Sequence, residues 1–215
     1  NPLDRLPRVW MAYKAVRRAE KATRRKYPVT PEMCDWLDEE QAERGLEAVI
    51  RRAARYFGVF LCARCSEYLG PPDPDKVLHV GCVTPMFGNL AVKWGDPRIN
   101  GVMVHFRGSK TDQYNEGSKR YVCMTRNARC LVKALIEWHG IDPAHFRSAG
   151  RSMFTLPSGK VLSRADMQRD LRDAATALGL EWARFGTHSL RIAGATWPFQ
   201  AGKTLGALKR PGRWA

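Results

Sequence analysis

Segments with helical periodicity flank a central stretch of short β-type runs, and this order constrains the fold more than any other feature. Before the centre, apolar residues at helical spacing predict a helix face directed at a core, namely Leu46, Val49, Ile50, Ala53, Ala54 and Phe57. After the centre, helices are predicted over 127–139 and 163–179, and Ser163 with Asp166 forms an approximate capping box. Upstream, Thr30 can cap a helix that Pro31 begins.

Four short runs in the middle of the chain have the composition of β-strands. They come after the loop segment GPPDPD and are VLHV (77–80), LAVKW (90–94), VMVHF (102–106) and RYVCM (120–124). The last two flank a polar loop and predict a β-hairpin. We therefore expect an α+β fold that is mainly α-helical and contains one small antiparallel sheet.

Residues 1–26 differ in pattern from the rest of the chain. They carry an amphipathic pattern, with Val9, Tyr13 and Val16 on one face, and end in the basic run RRAEKATRRK. That run is interpreted as a phosphate-binding linker, a nuclear-import patch or a solvated charged face. We place a domain boundary near residue 27 and expect one domain from there to residue 215.

The charge of the chain indicates a polyanionic partner. Its 215 residues include 36 Lys and Arg against 21 Asp and Glu, which gives a formal net charge of +15. Such a surplus is typical of nucleic-acid binding. A membrane surface is the rival partner, but no apolar run approaches the ~20 residues of a spanning helix, and no signal-peptide pattern is visible. Nucleic acid is therefore the expected partner, with no membrane.

The six cysteines predict neither disulfides nor a metal site. Cys62 and Cys65 have the spacing of metal ligands, but no second pair stands at finger spacing to complete a tetrahedral site. No export signal supports disulfide formation. We expect free, mostly buried thiols in a reducing, intracellular compartment.

Near the C-terminus, the segment GTHSLRIAGAT places His188 and Arg191 three residues apart, and therefore on one face of a helix. An imidazole and a guanidinium that point the same way can hold an anionic oxygen, and phosphate is the expected anion in so basic a chain. The alternative is a histidine at a helix start beside a surface arginine.

Three other positions are candidates for the same chemistry. Arg64 comes after an apolar helix, with Glu67 three residues on, so that this guanidinium can pair with Glu67 or bind a phosphate. Lys110 lies near the tip of the predicted hairpin, where it can enter a DNA groove and donate a proton, or be a solvated loop lysine. Trp214 can donate its indole N–H to a phosphate oxygen, or pack.

In this order, Arg-x-x-Glu after an apolar helix, Lys in a hairpin, His-x-x-Arg on a helix and Trp after Gly-Arg resemble the tyrosine recombinase (phage integrase) family. Trp214 lies 23 residues after Arg191, as in that family. The segments SKTDQ and THSLRIAGAT are similar to the branch carried by eukaryotic and retrotransposon-borne elements. The resemblance covers residues 27–215 and implies the DNA breaking-rejoining fold. Residues 1–26 would then be the remnant of a core-binding domain and its basic linker.

The resemblance implies site-specific DNA recombination or integration by a mobile element, without metal, ATP or other cofactor. A tyrosine attacks a DNA phosphodiester, and a 3′-phosphotyrosyl link and a free 5′-hydroxyl result. Arg64 and Arg191 would hold the non-bridging oxygens as charge builds, and Lys110 would protonate the departing 5′-oxygen. Phosphoryl transfer of this kind requires mainly positioning and positive charge.

The remaining roles also come from the resemblance. His188 would act as donor or base, Trp214 would supply a hydrogen bond and packing, and Glu67 would orient the catalytic groups. The partners would be double-stranded DNA and, in the full-length protein, three further copies in a homo-tetramer on two DNA sites. The compartment would be the nucleus in a eukaryote and otherwise the cytoplasm or nucleoid.

One departure from the family concerns the nucleophile. A tyrosine is expected roughly nine residues after the Trp position, and we expect this chain to be truncated before that segment and inactive by itself. Tyr121 is the last tyrosine present, and nothing in the sequence assigns the role of nucleophile to it. Pro198 falls inside what should be a helix, where a proline is unfavourable unless the helix breaks there, and Gly206 and Pro211 fall where the family usually has good helix formers. Two alternatives therefore stand: a catalytically inactive DNA-binding module derived from such an enzyme, and a type IB topoisomerase-like domain.

Overall fold

The computed structural model describes residues 25–70, 78–106 and 117–202. Within these ranges the chain forms α-helices, joined by loops and short 3-10 turns. The helices are α1 (Pro31–Glu40), α2 (Leu46–Phe60), α3 (Cys65–Tyr68), α4 (Leu131–Ile141), α5 (Arg164–Ala177) and α6 (Thr187–Gln200). None of them is long and apolar enough to cross a membrane, as judged over the described residues.

Two helix starts lie where the capping residues predict them. The Thr30 hydroxyl accepts a hydrogen bond from the Met33 N–H at 3.3 Å, and Pro31 begins α1. At α5, the Asp166 N–H donates to Ser163 Oγ and the Ser163 N–H donates to Asp166 Oδ2, each at 3.1 Å. These reciprocal bonds satisfy backbone N–H groups that have no partner inside the helix. Both predicted starts are confirmed.

Helix α4 begins four residues later than the predicted 127–139 and ends two residues later, at Ile141. The Thr125 N–H donates to Cys130 Sγ at 3.2 Å, and the Thr125 hydroxyl donates to the Arg129 carbonyl at 3.2 Å. These local bonds hold residues 125–130 in a turn, because side-chain hydrogen bonds of this kind compete with helix formation.

The β-strands form one antiparallel sheet in the order β2-β1-β3-β4. Its strands are β1 (Val83–Phe87), β2 (Leu90–Ala91), β3 (Gly101–Phe106) and β4 (Ser118–Cys123). Strands β3 and β4 pair in register from Gly101 opposite Cys123 to Phe106 opposite Ser118. The predicted hairpin is confirmed, and so is the α+β fold that is mainly helical with one small antiparallel sheet.

Strand β1 was not predicted, and it contains Pro85. Pro85 lies opposite Val102 of β3, and its carbonyl accepts from the Val92 N–H at 3.0 Å. The N–H and C=O of one residue point to the same side of an antiparallel strand, so the missing N–H falls on the side of the two-residue β2, where little pairing is lost. The predicted strand at 77–80 is wrong over its described residues. His79 makes one isolated bridge to Ser152, and a 3-10 turn begins at Val80.

Helix α2 lies at the centre of the core. Its predicted apolar face is buried, except that Leu46 at the helix start is only partly covered. The Phe57 ring is 5.0 Å from Tyr68, 5.9 Å from Phe106 and 5.5 Å from Phe154 between centroids. One aromatic side chain thereby joins α2 to α3, to the sheet and to the 153–156 segment.

Helices α2 and α6 approach each other at backbone contact. A Cβ atom on Gly194 would overlap the Val59 carbonyl oxygen and lie 2.6 Å from Cys62 Sγ. A Cβ on Gly58 would overlap the Tyr68 hydroxyl and lie 3.1 Å from the Leu190 side chain. The two glycines therefore allow the C-terminal end of α2 to lie directly against α6.

Helix α6 continues through Pro198 to Gln200, although a break there was one expectation. The proline lies in the last turn, where it can disrupt only a few main-chain hydrogen bonds. Gly206 and Pro211 lie outside the described residues, as does the amphipathic and basic segment 1–24.

Candidate functional site

Arg64 stands just beyond the end of α2, after a left-handed turn at Cys62. Cys62 has φ 46°, and within the described residues it is the one non-glycine residue with a positive φ. The Cys62 N–H donates to the Val59 carbonyl at 3.1 Å and the Ala63 N–H donates to the Gly58 carbonyl at 3.2 Å. This is the Schellman pattern, with cysteine where glycine is usual. The turn directs the chain away from the helix axis and into α3.

Glu67 holds Arg64 at the start of α3. Its carboxylate accepts from the Arg64 backbone N–H at 2.8 Å, and its other oxygen lies 3.4 Å from Arg64 Nη1. Glu67 is 6% exposed, whereas about a third of the Arg64 side chain is accessible. The pairing that sequence analysis gave as one alternative is present, and it leaves the guanidinium partly accessible.

His188 is the second residue of α6, and its side chain is exposed. The preceding Gly186 is extended, and its N–H donates to Ser189 Oγ at 3.2 Å, which fixes the first turn. The Val29 N–H also donates to the Ser189 carbonyl at 3.2 Å. The imidazole therefore projects from the positive end of a helix that is fixed on two sides.

Arg191, one turn further on, is 5% exposed. Its Nη1 donates to the Cys62 carbonyl oxygen at 2.9 Å. The left-handed conformation of Cys62 thus presents a carbonyl at the end of α2 to a guanidinium of α6.

A pocket of about 190 Å³ brings these groups together. Residues of the α2–α3 connection, of α3, of α5 and of α6 line it, namely Ala63, Arg64, Cys65, Ser66, Arg164, Thr187, His188 and Arg191. This lining contains three guanidinium groups, one imidazole and no carboxylate. Such a site favours an anion with several oxygen atoms.

The neighbouring charges act on the imidazole. Partial desolvation of the exposed imidazole by the groups beside it, followed by the positive charges of Arg191 and Arg64, lowers the pKa of His188 from its usual 6.5. This shift favours the neutral imidazole, which is able to accept a proton. A bound anion would offset the arginine charges and raise this pKa again.

The base of the hairpin is attached close to the same place. The Arg120 guanidinium on β4 donates to the carbonyl oxygen of Leu61 and lies 4.9 Å above the centroid of the Phe106 ring. Arg120 and Arg191 therefore bind consecutive carbonyl groups at the end of α2, where the helix dipole favours cations. Sequence analysis did not identify Arg120.

Arg164 lines the pocket and was not among the predicted site residues, although it lies inside a predicted helix. It is the first residue of α5, directly after the cap Ser163. A cation in the first turn opposes the helix dipole. That unfavourable position is the sequence signal that could have identified it.

Two predicted site residues, Lys110 and Trp214, lie outside the described residues. The described tyrosines do not line the pocket. Tyr56 and Tyr68 are buried, and the Tyr121 ring covers Gly101.

The cysteines of the described residues are free, and all but Cys123 are buried. Burial raises the pKa of Cys62 and of Cys65. The described part of the chain contains no group of three or more His, Cys, Asp or Glu able to hold a metal ion. A larger cavity of about 500 Å³ lies elsewhere, beside Trp94 and His139, and none of the predicted site residues lines it.

Comparisons with known proteins connect this fold to one group. No protein-family model and no curated protein matches the sequence. The XerH site-specific recombinase bound to its difH substrate, in a pre-cleavage complex, is 18% identical with a TM-score of 0.57, over 88% of this chain and 48% of XerH. The XerA recombinase is 15% identical with a TM-score of 0.51, over 89% of this chain and 56% of XerA. The chain spans about half the length of these structures, and its fold is tyrosine recombinase-like.

Proposed function

We propose that this chain, which has a tyrosine recombinase-like fold, supplies the phosphate-binding part of an active site for site-specific DNA recombination and is inactive without a nucleophilic tyrosine from outside it. The DNA would be cleaved and rejoined by transesterification through a 3′-phosphotyrosyl intermediate. The observation that carries the proposal is the pocket in which Arg64, His188 and Arg191 meet, although more than 120 residues separate the first from the other two. Among the described residues its lining is cationic and lacks a carboxylate, which suits a phosphodiester.

Arg64 and Arg191 would hold the two non-bridging oxygens of the scissile phosphate. Each is fixed before DNA arrives, Arg64 by Glu67 and Arg191 by the Cys62 carbonyl. Donors that need no reorganisation stabilise the charge of the transition state most effectively. Glu67 acts through Arg64 and is a positioning residue.

His188 would accept or donate a proton at the phosphate, which its lowered pKa and its exposed place at the helix start support. For Lys110 and Trp214 the roles rest on the sequence resemblance: Lys110 would protonate the departing 5′-oxygen, and Trp214 would donate a hydrogen bond. Lys110 belongs to the loop between β3 and β4, whose base is attached to the end of α2 through Arg120.

The attacking tyrosine would be none of the tyrosines in this sequence. Of the tyrosines that the structure describes, Tyr56 and Tyr68 are buried, Tyr121 lies on the sheet, and the exposed Tyr27 does not line the pocket. Tyr13 and Tyr114 lie outside the described residues, and the family spacing assigns the role to neither. We propose that the nucleophile comes from a further segment of the parent protein or from another subunit, with a homo-tetramer on two duplexes as the working assembly. DNA is the proposed partner because a polyanion matches the formal charge of +15.

The test uses suicide DNA substrates that trap cleavage. A pool of nicked duplexes, randomised around the nick, is incubated with this 215-residue chain and separately with the product of the complete gene. A covalent protein–DNA band is expected only with the latter, and peptide mapping of that band identifies the tyrosine. A band with the shorter chain would contradict the assignment of the nucleophile.

Two results would point to the alternatives. Salt-sensitive DNA binding without a covalent band from either protein would indicate an inactive DNA-binding module. Covalent cleavage that leads only to resealing of the same strand would indicate a topoisomerase-like activity. Binding that does not respond to salt would contradict a phosphate-based interface altogether.

A further inference from the structure

Arg164 reaches the pocket from an element that carries no other site residue. Arg64 lies on the connection after α2, His188 and Arg191 lie on α6, and Arg164 begins α5. The reciprocal bonds between Ser163 and Asp166 fix the backbone at this point. The base of the Arg164 side chain is therefore held in place relative to the pocket.

The charges around Arg164 are already paired with one another. Asp166 lies 3.1 Å from Lys160 Nζ and 3.8 Å from Arg169 Nη2. Among the described residues, the Arg164 guanidinium has no hydrogen-bonded or ion-paired partner, and it is exposed at the rim of the pocket. Its first-turn position is also electrostatically unfavourable in the free protein. An anion in the pocket would give the Arg164 guanidinium a partner and would offset its unfavourable position in the first turn.

We propose that Arg164 is a third guanidinium ligand of the DNA phosphate and acts in binding. This deepens the proposed function and rests on it for the identity of the ligand. Arg64 and Arg191 are anchored to protein acceptors, whereas Arg164 has its donors available for a phosphate oxygen. Such a contact forms equally in the ground state and in the transition state, so it strengthens binding without raising the rate of the bound complex.

The first measurement uses inorganic phosphate and this 215-residue chain. Thermal unfolding is monitored at increasing phosphate concentration and constant ionic strength, because a ligand of the folded state raises Tm. Arg164→Ala should weaken phosphate binding about tenfold, since a charge-assisted hydrogen bond is lost. The phosphate affinity of Arg164→Lys should lie between that of Arg164→Ala and that of the unchanged chain.

Arg44→Ala is the matched control. Arg44 is an exposed arginine just before α2, and the pocket lies beyond the other end of that 15-residue helix, about 22 Å away. This variant loses the same charge and should bind inorganic phosphate as the unchanged chain does. Phosphate binding by Arg164→Ala that equals that of Arg44→Ala would overturn the proposal.

The second measurement uses a fluorescent 30-base-pair duplex of random sequence. The slope of log affinity against log salt should fall by about 0.9 in Arg164→Ala, which corresponds to one phosphate contact, and should not change in Arg44→Ala. If Arg164 is needed for phosphate binding but the chain does not bind DNA, Arg164 remains a ligand of an anion. The proposed function is then contradicted. DNA binding with an unchanged slope in Arg164→Ala would retain the function and overturn the role of Arg164.

Discussion

The Arg191 guanidinium donates a hydrogen bond to the carbonyl oxygen of Cys62 at 2.9 Å. Cys62 holds this carbonyl in place by adopting a left-handed conformation, which is unfavourable by about 1–2 kcal/mol for a residue other than glycine. The contact connects the end of one core helix to the middle of another. It therefore makes the position of a candidate phosphate ligand depend on the packing of α2 against α6.

Under the proposed function, replacement of Arg191 by lysine should abolish most of the DNA cleavage by the product of the complete gene. A lysine ammonium keeps the charge but cannot bind the Cys62 carbonyl and a phosphate in the fixed geometry of a guanidinium. We expect cleavage of trapped substrates to slow about 100-fold or more, while the salt dependence of DNA binding is retained. Equal losses of binding and cleavage would make Arg191 an ordinary phosphate contact.

Gly194→Ala should destabilise the protein by about 2 kcal/mol, because the new methyl group overpacks the contact with Val59 and Cys62. Denaturant unfolding of the purified chain measures this change. Gly140→Ala is the control, since a Cβ on Gly140 of α4 meets open space, and it should be neutral or stabilising by up to about 1 kcal/mol. A stability for Gly194→Ala equal to that of the control would show that α2 and α6 do not approach so closely.

Asp170→Ala should lower stability by about 3 kcal/mol, because it leaves the buried Arg51 with a single acidic partner. Arg51 Nη1 lies 2.8 Å from one oxygen of Asp170, and this pair joins α2 to α5, the helix that Arg164 begins. Asp35→Ala removes the more exposed ion pair with Arg129 and should change stability by about 1 kcal/mol or less. Unfolding midpoints of the two variants, compared at one pH, check the difference.

The His188 imidazole should titrate below its usual pKa of 6.5 in the free protein. Removal of a nearby positive charge in Arg64→Gln should raise this pKa, and so should added inorganic phosphate, whereas Arg44→Gln should not change it. Imidazole NMR shifts recorded against pH measure the pKa of His188 in the two variants and in the presence of phosphate. A pKa of His188 that does not respond to Arg64→Gln would place the two side chains further apart than the pocket implies.

The lowered pKa of His188 also affects stability. Because the folded-state pKa is lowered, the unfolded chain takes up the proton first as pH falls. The contribution of His188 to the free energy of unfolding is therefore fully present above the unfolded-state pKa, and it decreases as the pH drops below that pKa. Burial lowers the pKa of His145 as well, which acts in the same direction.

Local signals accounted for the elements whose causes are local. Thr30 with Pro31, and Ser163 with Asp166, predicted two helix starts because a cap and its N–H partners are three residues apart or fewer. The hairpin of β3 and β4 was predictable because its strands are adjacent in sequence. Strand β1 was not predicted. Its Pro85 is tolerated because the missing N–H faces a short neighbour, and the sequence does not show which neighbour a strand has.

Sequence alone was sufficient to predict the fold class and the cationic character of the chain. It also identified three pocket residues, Arg64, His188 and Arg191, because each of them belongs to a short motif. The three-dimensional packing was needed to show that these residues share one pocket and that Arg164 joins them. Their convergence depends on the contact between α2 and α6 at Gly58 and Gly194 and on the direction of the Cys62 carbonyl. Gly58 and Gly194, like Cys62 and Arg191, are more than 100 residues apart, and periodicity and capping do not encode which distant segments pack together.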